Sequence, residues 1–326
     1  MKTLTAFSCL FIFSIAGSML TGLSEHALAS EESQDIVDNV TGAEPMQDSH
    51  DISNRREVLK LALKQALVGS HGSTNTQKVK ELIEELSALN PCQGKVSESG
   101  LLMGAYQTLT GPDFPGRIKP EVGEESVVKY TLGRLSFNIF QPKNLVCTLH
   151  GVRNNLFPMD QVNDQLKEKY PDRELISYPL ILDITIHTPE GDLPAVLQND
   201  AFCFQNENLP SRLMVSFQGG TLSPAEEVRG DASKLQLWSD TFQGAYQEAS
   251  KKQSIMGHVF QYAMTYLLGL NLPTDDEHNC EFRFDMKRSP VGYLDVLYLD
   301  HDLRITRGNR GTIVVVERLG GQVLSK

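Results

Sequence analysis

Residues 290–318 read PVGYLDVLYLDHDLRITRGNRGTIVVVER, and this stretch decides the predicted fold. Its first part, 293–306, alternates apolar and polar side chains, which is the period of a β-strand with one buried face. Its second part, 312–316, is β-branched throughout, which favours a strand over a helix. Gly308 and Gly311 lie in the charged break between the two parts, where glycine supplies the positive φ of a chain reversal. The stretch therefore predicts an antiparallel hairpin.

The polar face of this hairpin carries a pair of opposite charges. Asp302 and Arg304 are two residues apart in the predicted strand, so their side chains project from the same side. If that side is buried, the charges must pair, because an isolated buried charge is very costly. Two interpretations follow: an ion pair that fixes the register of the sheet, or a polar anchor for the head group of a ligand.

Period-two alternation recurs along most of the chain after Gly100. It is found in the segments 101–109, 135–140, 145–152, 180–187, 201–205, 213–218 and 281–286. With the hairpin, this pattern predicts roughly eight to ten antiparallel strands, a number that can close into a barrel with room for a small ligand. The predicted fold class is therefore mainly β (α+β), a lipocalin-like antiparallel β-barrel.

Helical periodicity predicts two additions to this barrel. An i, i+4 apolar stripe follows Ser53 and ends at Gly69, and a second runs from Thr76 to Asn90 and Pro91. They predict a helical hairpin over 53–91, ahead of a barrel over 100–318. Residues 233–270 have the spacing of a helical insertion that packs on the sheet as a lid. Together, 53–326 form one predicted domain.

The amino terminus has the pattern of a secretory signal peptide. Lys2 precedes an apolar run, and Ala27 and Ala29 form a small-x-small cleavage site, so residues 1–29 are predicted to be removed. An uncleaved membrane anchor is the alternative. Residues 30–52 are rich in acidic side chains, which predicts a disordered leader. Asn39 begins a glycosylation sequon, which passage through the secretory route would permit.

Composition limits the classes of partner. The net charge of −11 argues against nucleic acid as the main partner, because phosphate binding needs clustered Lys and Arg. After removal of the signal peptide the cysteines are Cys92, Cys147, Cys203 and Cys280, widely spaced and without a CxxC motif. This number does not form a disulfide scaffold in a chain of this size, although one bridge stays open.

Several motifs resemble the plastid-lipid-associated protein (PAP)/fibrillin family. Residues 298–308, YLDHDLRITRG, followed by a hydrophobic strand, resemble the family's closing motif. Residues 89–91, LNP, resemble its helix-ending motif, and 132–137, LGRLSF, resemble one of its strands. Residues 101–109, LLMGAYQTL, resemble its first strand, with Ala105 where the family has Trp. The resemblance runs in the family's order from about residue 55 to the end.

The resemblance implies a plastid protein that binds or organises apolar lipids without catalysis. The implied ligands are carotenoids, prenylquinones or acyl lipids at plastoglobules or thylakoids, so the partners are hydrophobic small molecules and a peripheral membrane or lipid-droplet surface. The predicted signal peptide implies that the plastid is reached through the secretory route, with a secreted or endomembrane protein as the alternative. A structural coat of lipid bodies without an internal ligand and a lipid-modifying enzyme are the alternative functions.

A pocket for such lipids is expected among aromatic side chains, with charged groups of the closing motif orienting a head group or holding the strand. The candidate lipid-binding residues are Phe137, Phe140, Tyr293, Tyr298, Asp300, Asp302, Arg304 and Arg307. No catalytic residue and no cofactor are predicted, since no nucleophile elbow, P-loop, dinucleotide fingerprint or HExxH motif occurs. No metal site is predicted at 300–302, because His301 would point away from its two neighbours on a strand.

Overall fold

The computed structural model describes residues 49–320 apart from 115, 121, 122, 124–126, 137, 138, 141, 160–163, 252–273, 277–279 and 287–290. Its helices are α1 Ser49–Gly69, α2 Gln77–Ala88, α3 Leu132–Leu135, α4 Asp164–Lys169, α5 Glu226–Arg229 and α6 Ala232–Lys251, with a 3₁₀ turn at Val96–Glu98. Its strands are β1 Gly104–Thr108, β2 Val128–Thr131, β3 Val146–Pro158, β4 Ile176–Ser177, β5 Leu180–Thr188, β6 Gly191–Gln205, β7 Arg212–Pro224, β8 Thr274–Asp276, β9 Glu281–Asp285, β10 Val291–Leu299, β11 Leu303–Gly308 and β12 Ile313–Arg318.

Within the described residues, the twelve strands belong to one sheet whose pairs are antiparallel. This result confirms the prediction of a mainly antiparallel β fold. The signal peptide 1–29, the sequon at Asn39, most of the leader 30–52 and the second part of the insertion, 252–270, lie outside the described residues. Helix α1 begins at Ser49, inside the predicted leader.

Eight of the strands form a closed circuit of hydrogen-bonded neighbours. The circuit runs β1, β3, β5, β6, β7, β10, β11, β12 and back to β1. The first and last strands in the described part of the chain, β1 and β12, pair directly, with Tyr106 opposite Arg318 and Thr108 opposite Val316. Consequently each of these eight strands has a hydrogen-bonded neighbour on both sides, which removes the unpaired edges that promote aggregation.

One face of the circuit carries the larger of the hydrophobic clusters and is called here the inner face. Alternate residues of each strand supply it, among them Val152 and Leu156 from β3 and Leu197 from β6. The same cluster extends to α6, where Trp238 and Phe242 pack on Phe282 of β9. A single apolar lining therefore connects the strands of the circuit with the helical insertion.

The opposite face of β10–β12 is covered by α1 and α2. Leu63 and Leu67 of α1 and Leu86 of α2 pack with Leu303 and Ile305 of β11 in a second cluster. The α2 helix begins at the N-cap Thr76, whose hydroxyl accepts a hydrogen bond from the backbone N–H of Val79. Its apolar residues repeat at the helical period, so one stripe faces the sheet.

Two local predictions are wrong. The run 293–306 is not one strand, because β10 ends at Leu299 and β11 begins at Leu303, with a tight turn between them. A register shift between Val296 and Tyr298 also breaks the expected alternation of faces. Residues 132–135 form the short helix α3 rather than a strand.

Cys92, Cys147, Cys203 and Cys280 are free thiols, so no bridge forms among them. Within the part of the chain that is described, no helix combines the length and the apolar character needed to cross a lipid bilayer.

Candidate functional site

The candidate lipid-binding residues are distributed over two faces of the sheet. Phe140 lies on the inner cluster and meets Phe284 edge to face, with ring centroids 5.6 Å apart. Tyr298 is buried in the opposite cluster beneath the helices. The register shift beside Tyr298 turns its side chain to the helical side, so the structure does not bring it to Phe140. Phe137 lies outside the described residues.

Two further candidates lie towards the surface. Tyr293 is half-buried and stacks beneath the guanidinium of Arg212, 3.8 Å from the ring centroid. That guanidinium forms a bidentate ion pair with the Asp295 carboxylate, in which Nε donates at 2.7 Å and Nη2 donates at 3.1 Å. Arg307 is exposed at the end of β11. The contacts of Arg212 with Tyr293 and Asp295 join β7 to β10. Tyr293 and Arg307 therefore both lie away from the inner face.

Arg304 is the charged candidate that reaches the inner face. Only 2% of its surface is exposed, and its Nη2 donates to Oδ1 of Asn154 at 2.6 Å. The guanidinium lies over the ring of Tyr106, 4.3 Å from the centroid, and 5.6 Å from that of Tyr178. Its Nε and Nη1 atoms have no hydrogen-bond partner among the residues that are described. The side chain is thus a buried cation whose donors are only partly used.

Direct register places other polar side chains on the same face as Arg304. Tyr106 of β1 lies opposite Asn154 of β3, Asn154 lies opposite Leu180 of β5, and Leu180 lies opposite Asn199 of β6. Residues directly opposite each other in a sheet project from the same face, so the side chains of Tyr106, Asn154, Leu180 and Asn199 all lie on the inner face. Asn199 is 2% exposed, and its Oδ1 accepts no hydrogen bond from any residue that the structure describes. We call Tyr106, Asn154, Asn199 and Arg304 the inner polar belt.

The two aspartates of the closing motif lie on the other side, around a lysine of α1. Nζ of Lys60 is 2.9 Å from Oδ2 of Asp300, 2.9 Å from Oδ2 of Asp302 and 2.7 Å from Oε1 of Glu57. The hydroxyl of Tyr298 donates to Oδ2 of Asp300 at 2.6 Å. Asp302 is therefore paired with Lys60 and not with Arg304, which corrects the predicted pairing.

The pKa shifts of this outer cluster follow from burial and hydrogen bonding. Burial alone would lower the pKa of Lys60, but its carboxylate partners raise it above the ordinary value. Burial would raise the pKa of Asp300, whereas hydrogen bonds from Tyr298, Lys60 and the backbone N–H groups of Asp302 and Leu303 lower it below the ordinary value. The pKa of Tyr298 is raised, by burial first and then by its bond to Asp300. The cluster is thus a charged network that joins α1 to the β10–β11 turn.

This cluster has the carboxylates of a cation site, and an ammonium group lies among them. Ligand oxygens of Glu57, Asp300 and Asp302 all lie within 4.8 Å of one another. Nζ of Lys60 is within hydrogen-bond distance of all three residues and neutralises part of their charge. His301 is not a member of the group. The arrangement therefore fits a structural ion-pair network that docks a helix.

The inner polar belt contains residues that the sequence analysis missed. Asn154 interrupts the inward series of Val152 and Leu156, and Asn199 follows the inward residues Ala195 and Leu197. A polar residue at an apolar position of an alternating strand was therefore visible in the sequence. The sequence did not mark Lys60 as a buried residue, because its neighbours at helical spacing, Arg56, Glu57 and Lys64, are also charged.

Another polar array lies across β3, β5 and β6. Oδ1 of Asp192 is 2.7 Å from Nδ1 of His187, whose Nε2 is 2.7 Å from the hydroxyl of Thr148. This is the order of a nucleophilic triad. His187 is one-third exposed and Asp192 two-thirds. Beside it, His150 bonds the hydroxyl of Thr185 at 2.8 Å, so the same pattern repeats without an acid.

A groove of about 420 Å³ borders this array, lined by His150, Asp183, Thr185, Glu226 and Glu227 among others. Its wall carries three carboxylates, which repel the anionic charge that develops in acyl transfer instead of stabilising it. We therefore interpret the array as a cross-strand hydrogen-bond ladder, a common way of stabilising a sheet.

Comparison with known proteins gives one match. The PAP_fibrillin family model matches residues 209–317, which contain β7 to β11, all but the last residue of β12, and the closing motif with Asp300, Asp302 and Arg304. The match confirms the family resemblance, and it covers the closing motif at 298–308; the motifs at 89–91, 101–109 and 132–137 lie outside the matched residues. No curated protein and no solved structure matches the chain.

Proposed function

We propose, from the PAP_fibrillin match over residues 209–317, that the protein is a plastid-lipid-associated protein that binds and organises apolar lipids without catalysis. The ligand classes are carotenoids, prenylquinones and acyl lipids, and the place of action is the plastoglobule or thylakoid surface. The family implies the plastid, and the predicted signal peptide over 1–29 implies entry through the secretory route. A secreted or endomembrane protein is the alternative location.

The observation that carries this proposal is the closed circuit of eight strands with a continuous apolar inner face. We infer from a circuit of this size the lipocalin-like barrel that the sequence predicts, because the interior of an eight-stranded barrel suits one hydrophobic ligand. The inner face has aliphatic or aromatic side chains from seven of the eight strands of the circuit, and β11 contributes Arg304. The inner polar belt supplies the small number of polar groups that orient a ligand in such sites.

A structural coat is the second candidate, and a feature of α1 favours it. Val58, Leu61 and Val68 are 68%, 60% and 80% exposed, and their spacing puts them on one side of the helix. Such a stripe suits contact with a lipid surface more than contact with water. In a coat, this outer stripe would account for lipid association, and the inner face would serve only as core.

The two candidates predict opposite effects of two variants. The protein and each variant are expressed, purified without detergent, and extracted for mass spectrometry of bound lipids; flotation with lipid droplets measures surface association. Ala201→Phe adds volume to the inner face, where Ala201 is 5% exposed. The triple change Val58→Ser, Leu61→Ser and Val68→Ser removes the outer stripe. An internal carrier loses most co-purified lipid with Ala201→Phe and keeps it with the triple change.

Loss of droplet association in the triple variant, with no lipid extracted from the unaltered protein, would instead establish the coat. Far-ultraviolet circular dichroism and urea unfolding verify that each variant folds. If Ala201→Phe does not fold, the lipid extracted from the triple variant still separates the two candidates, because a carrier retains its ligand there.

A further inference from the structure

The buried guanidinium of Arg304 lacks a counter-ion. Among the residues that the structure describes, its polar contacts are one hydrogen bond to Asn154 and the faces of Tyr106 and Tyr178. Asp300 and Asp302, the acids of its own motif, are engaged by Lys60 instead. A cation taken out of water is costly unless it is paired and hydrogen-bonded, so this arrangement leaves an unmet requirement for negative charge.

The buried hydrogen-bonding atoms without a partner among the described residues of the sheet lie on the inner face. Nε and Nη1 of Arg304 carry three N–H bonds, and none of them has an acceptor within the described part of the chain. Asn199 supplies a second, independent unpartnered atom, Oδ1, from a strand on the other side of Asn154. Native proteins satisfy nearly all of their buried polar groups, and the exceptions call for an explanation such as a bound ligand.

We propose that Arg304 binds the carboxylate of a long-chain fatty acid, whose hydrocarbon chain lies along the apolar inner face. This inference rests on the proposed lipid-binding function and selects one class within it. A guanidinium matches a carboxylate in charge and in fork geometry, and such charge-assisted bonds are the strong ones. A carotenoid hydrocarbon supplies no acceptor, and a quinone carbonyl supplies no charge to neutralise the cation.

The surroundings of Arg304 prepare it for this role. Stacking on Tyr106 fixes the plane of the guanidinium, and the bond to Asn154 fixes its rotation about that plane. Asn154 is in turn held by donating from Nδ2 to the carbonyl of Pro179 at 2.8 Å. Tyr106 donates its hydroxyl to the carbonyls of Leu101 and Leu102, each at 3.0 Å. The guanidinium of Arg304 is therefore held in one orientation before a ligand binds, which reduces the conformational entropy lost on binding.

The test compares cis-parinaric acid with its methyl ester, two fluorescent probes of one chain that differ in the charge of the head group. Titration of the purified full chain at pH 7, below the concentration at which the acid forms micelles, gives a dissociation constant for each. We expect the acid to bind about 10- to 100-fold more tightly than the ester, the range typical of charge-assisted hydrogen bonds. This comparison needs no variant, so it holds even if a substitution prevents folding.

Three variants locate the effect. Arg304→Gln removes the charge while keeping a donor for Asn154, and is expected to weaken acid binding to the level of the ester without changing ester binding. Arg304→Lys keeps the charge and is expected to recover part of the preference for the acid. Arg153→Gln is the matched control, because Arg153 is next to Asn154 on β3 but projects from the opposite face, where it pairs with Asp183; it should leave both constants unchanged.

The outcomes separate the two levels of inference. If neither probe binds the unaltered protein, the fatty-acid assignment is overturned, and the proposed lipid-binding function is then decided separately by the lipids extracted from the purified protein and by droplet flotation. If acid and ester bind equally well, or if Arg304→Gln weakens both alike, lipid binding stands and the carboxylate assignment is overturned. A purely structural role for Arg304 predicts that Arg304→Gln lowers the urea midpoint of the ligand-free protein while the ratio of the two constants is unchanged.

Discussion

At the scale of single residues, Asp300 decides where the closing hairpin turns. Its Oδ1 accepts from the backbone N–H groups of Asp302 and Leu303, both at 2.8 Å, which ends β10 and begins β11. Its other oxygen, Oδ2, accepts a hydrogen bond from the hydroxyl of Tyr298 and forms an ion pair with Nζ of Lys60. One buried carboxylate therefore shapes the turn and also holds the first helix.

The lowered pKa of Asp300 predicts a defined dependence of stability on pH. A carboxyl whose pKa is lower in the folded state contributes stability above its unfolded value, and loses it as pH falls through the folded value. We expect Asp300→Asn to cost about 1.5–3 kcal/mol at pH 7, the range for hydrogen bonds to charged groups. The difference from the unaltered protein should shrink as pH falls below about 4. Urea unfolding across this pH range measures it.

Asp302→Asn is the matched control for this prediction. The side chain of Asp302 is 61% exposed, against 12% for Asp300, although both touch the same lysine. Exposed ion pairs contribute about 0–1 kcal/mol, so this variant should differ little from the unaltered protein at any pH. A constant difference between Asp300→Asn and the unaltered protein from pH 7 to pH 2 would contradict the assigned role of the charge.

The same residue explains why the sequence misplaced this turn. Alternation continues through Asp300, His301 and Asp302 with the parity of a strand, so period counting cannot detect the reversal. The turn arises because the Asp300 carboxylate replaces the ladder partner of two backbone N–H groups, a contact that the pattern of apolar residues does not encode. The predicted ion pair between Asp302 and Arg304 does not form because Asp302 lies in this turn. Arg304 lies in β11, which begins after the turn, and the alternation of that strand places its side chain on the inner face.

At the scale of elements, α1 is fastened to the sheet by a buried charge. Nζ of Lys60 lies beneath the helix with its side chain 5% exposed. Removing one partner of a buried ion pair leaves the other uncompensated, so Lys60→Met should cost about 3–5 kcal/mol. The double variant Lys60→Met with Asp300→Asn should cost less than the sum of the single changes, with a coupling of about 1–3 kcal/mol. Urea unfolding of all four proteins gives the coupling.

Lys64→Met serves as the control one turn along the same helix. Lys64 also forms an ion pair, with Glu317 of β12, but its side chain is 31% and that of its partner 40% exposed. The expected cost is about 0–1 kcal/mol, because water screens an exposed pair. Strict additivity of the Lys60 and Asp300 changes, or equal costs at Lys60 and Lys64, would refute the buried network as the link between helix and sheet.

The helical elements were more predictable than their contacts. An apolar stripe at the helical period reports a buried face whatever covers it, so the helices near 53–69 and 76–89 could be located from the sequence. The same stripe does not identify the strands beneath it. That β10–β12 form the docking surface depends on contacts more than two hundred residues apart in the chain, such as Lys60 with Asp302.

At the scale of the whole molecule, the circuit closes where the first strand meets the last. The sequence pattern indicated a segment of each strand in the circuit, but not the order of the strands, because pairs such as β7 with β10 and β1 with β12 join distant segments. Arg318 is the main side-chain contact at this closure. It donates to the carbonyls of Leu101, Met103 and His301 and to the hydroxyl of Tyr106.

Gly104 is the residue that admits Arg318, and this gives a test of the closure. Its φ of +143° is rare for residues with a side chain, and a Cβ there would lie 2.2 Å from Nη1 of Arg318. Gly104→Ala should therefore strain the backbone and displace the guanidinium, lowering stability by about 2–4 kcal/mol. Arg318→Met removes the same contacts, so the two changes should be strongly non-additive.

Hydrogen exchange locates the effect within the circuit. If β1 and β12 close the ring, both variants should speed exchange at the amides of these strands and, since their outer neighbours lose support, at β3 and β11 as well. Gly69→Ala is the control, because a Cβ at Gly69 meets nothing within 4 Å, and it should leave the strand amides protected. Unchanged protection of β1 and β12 in Gly104→Ala would mean that closure does not depend on Arg318, and the backbone ladder alone would then have to hold the two ends of the chain together.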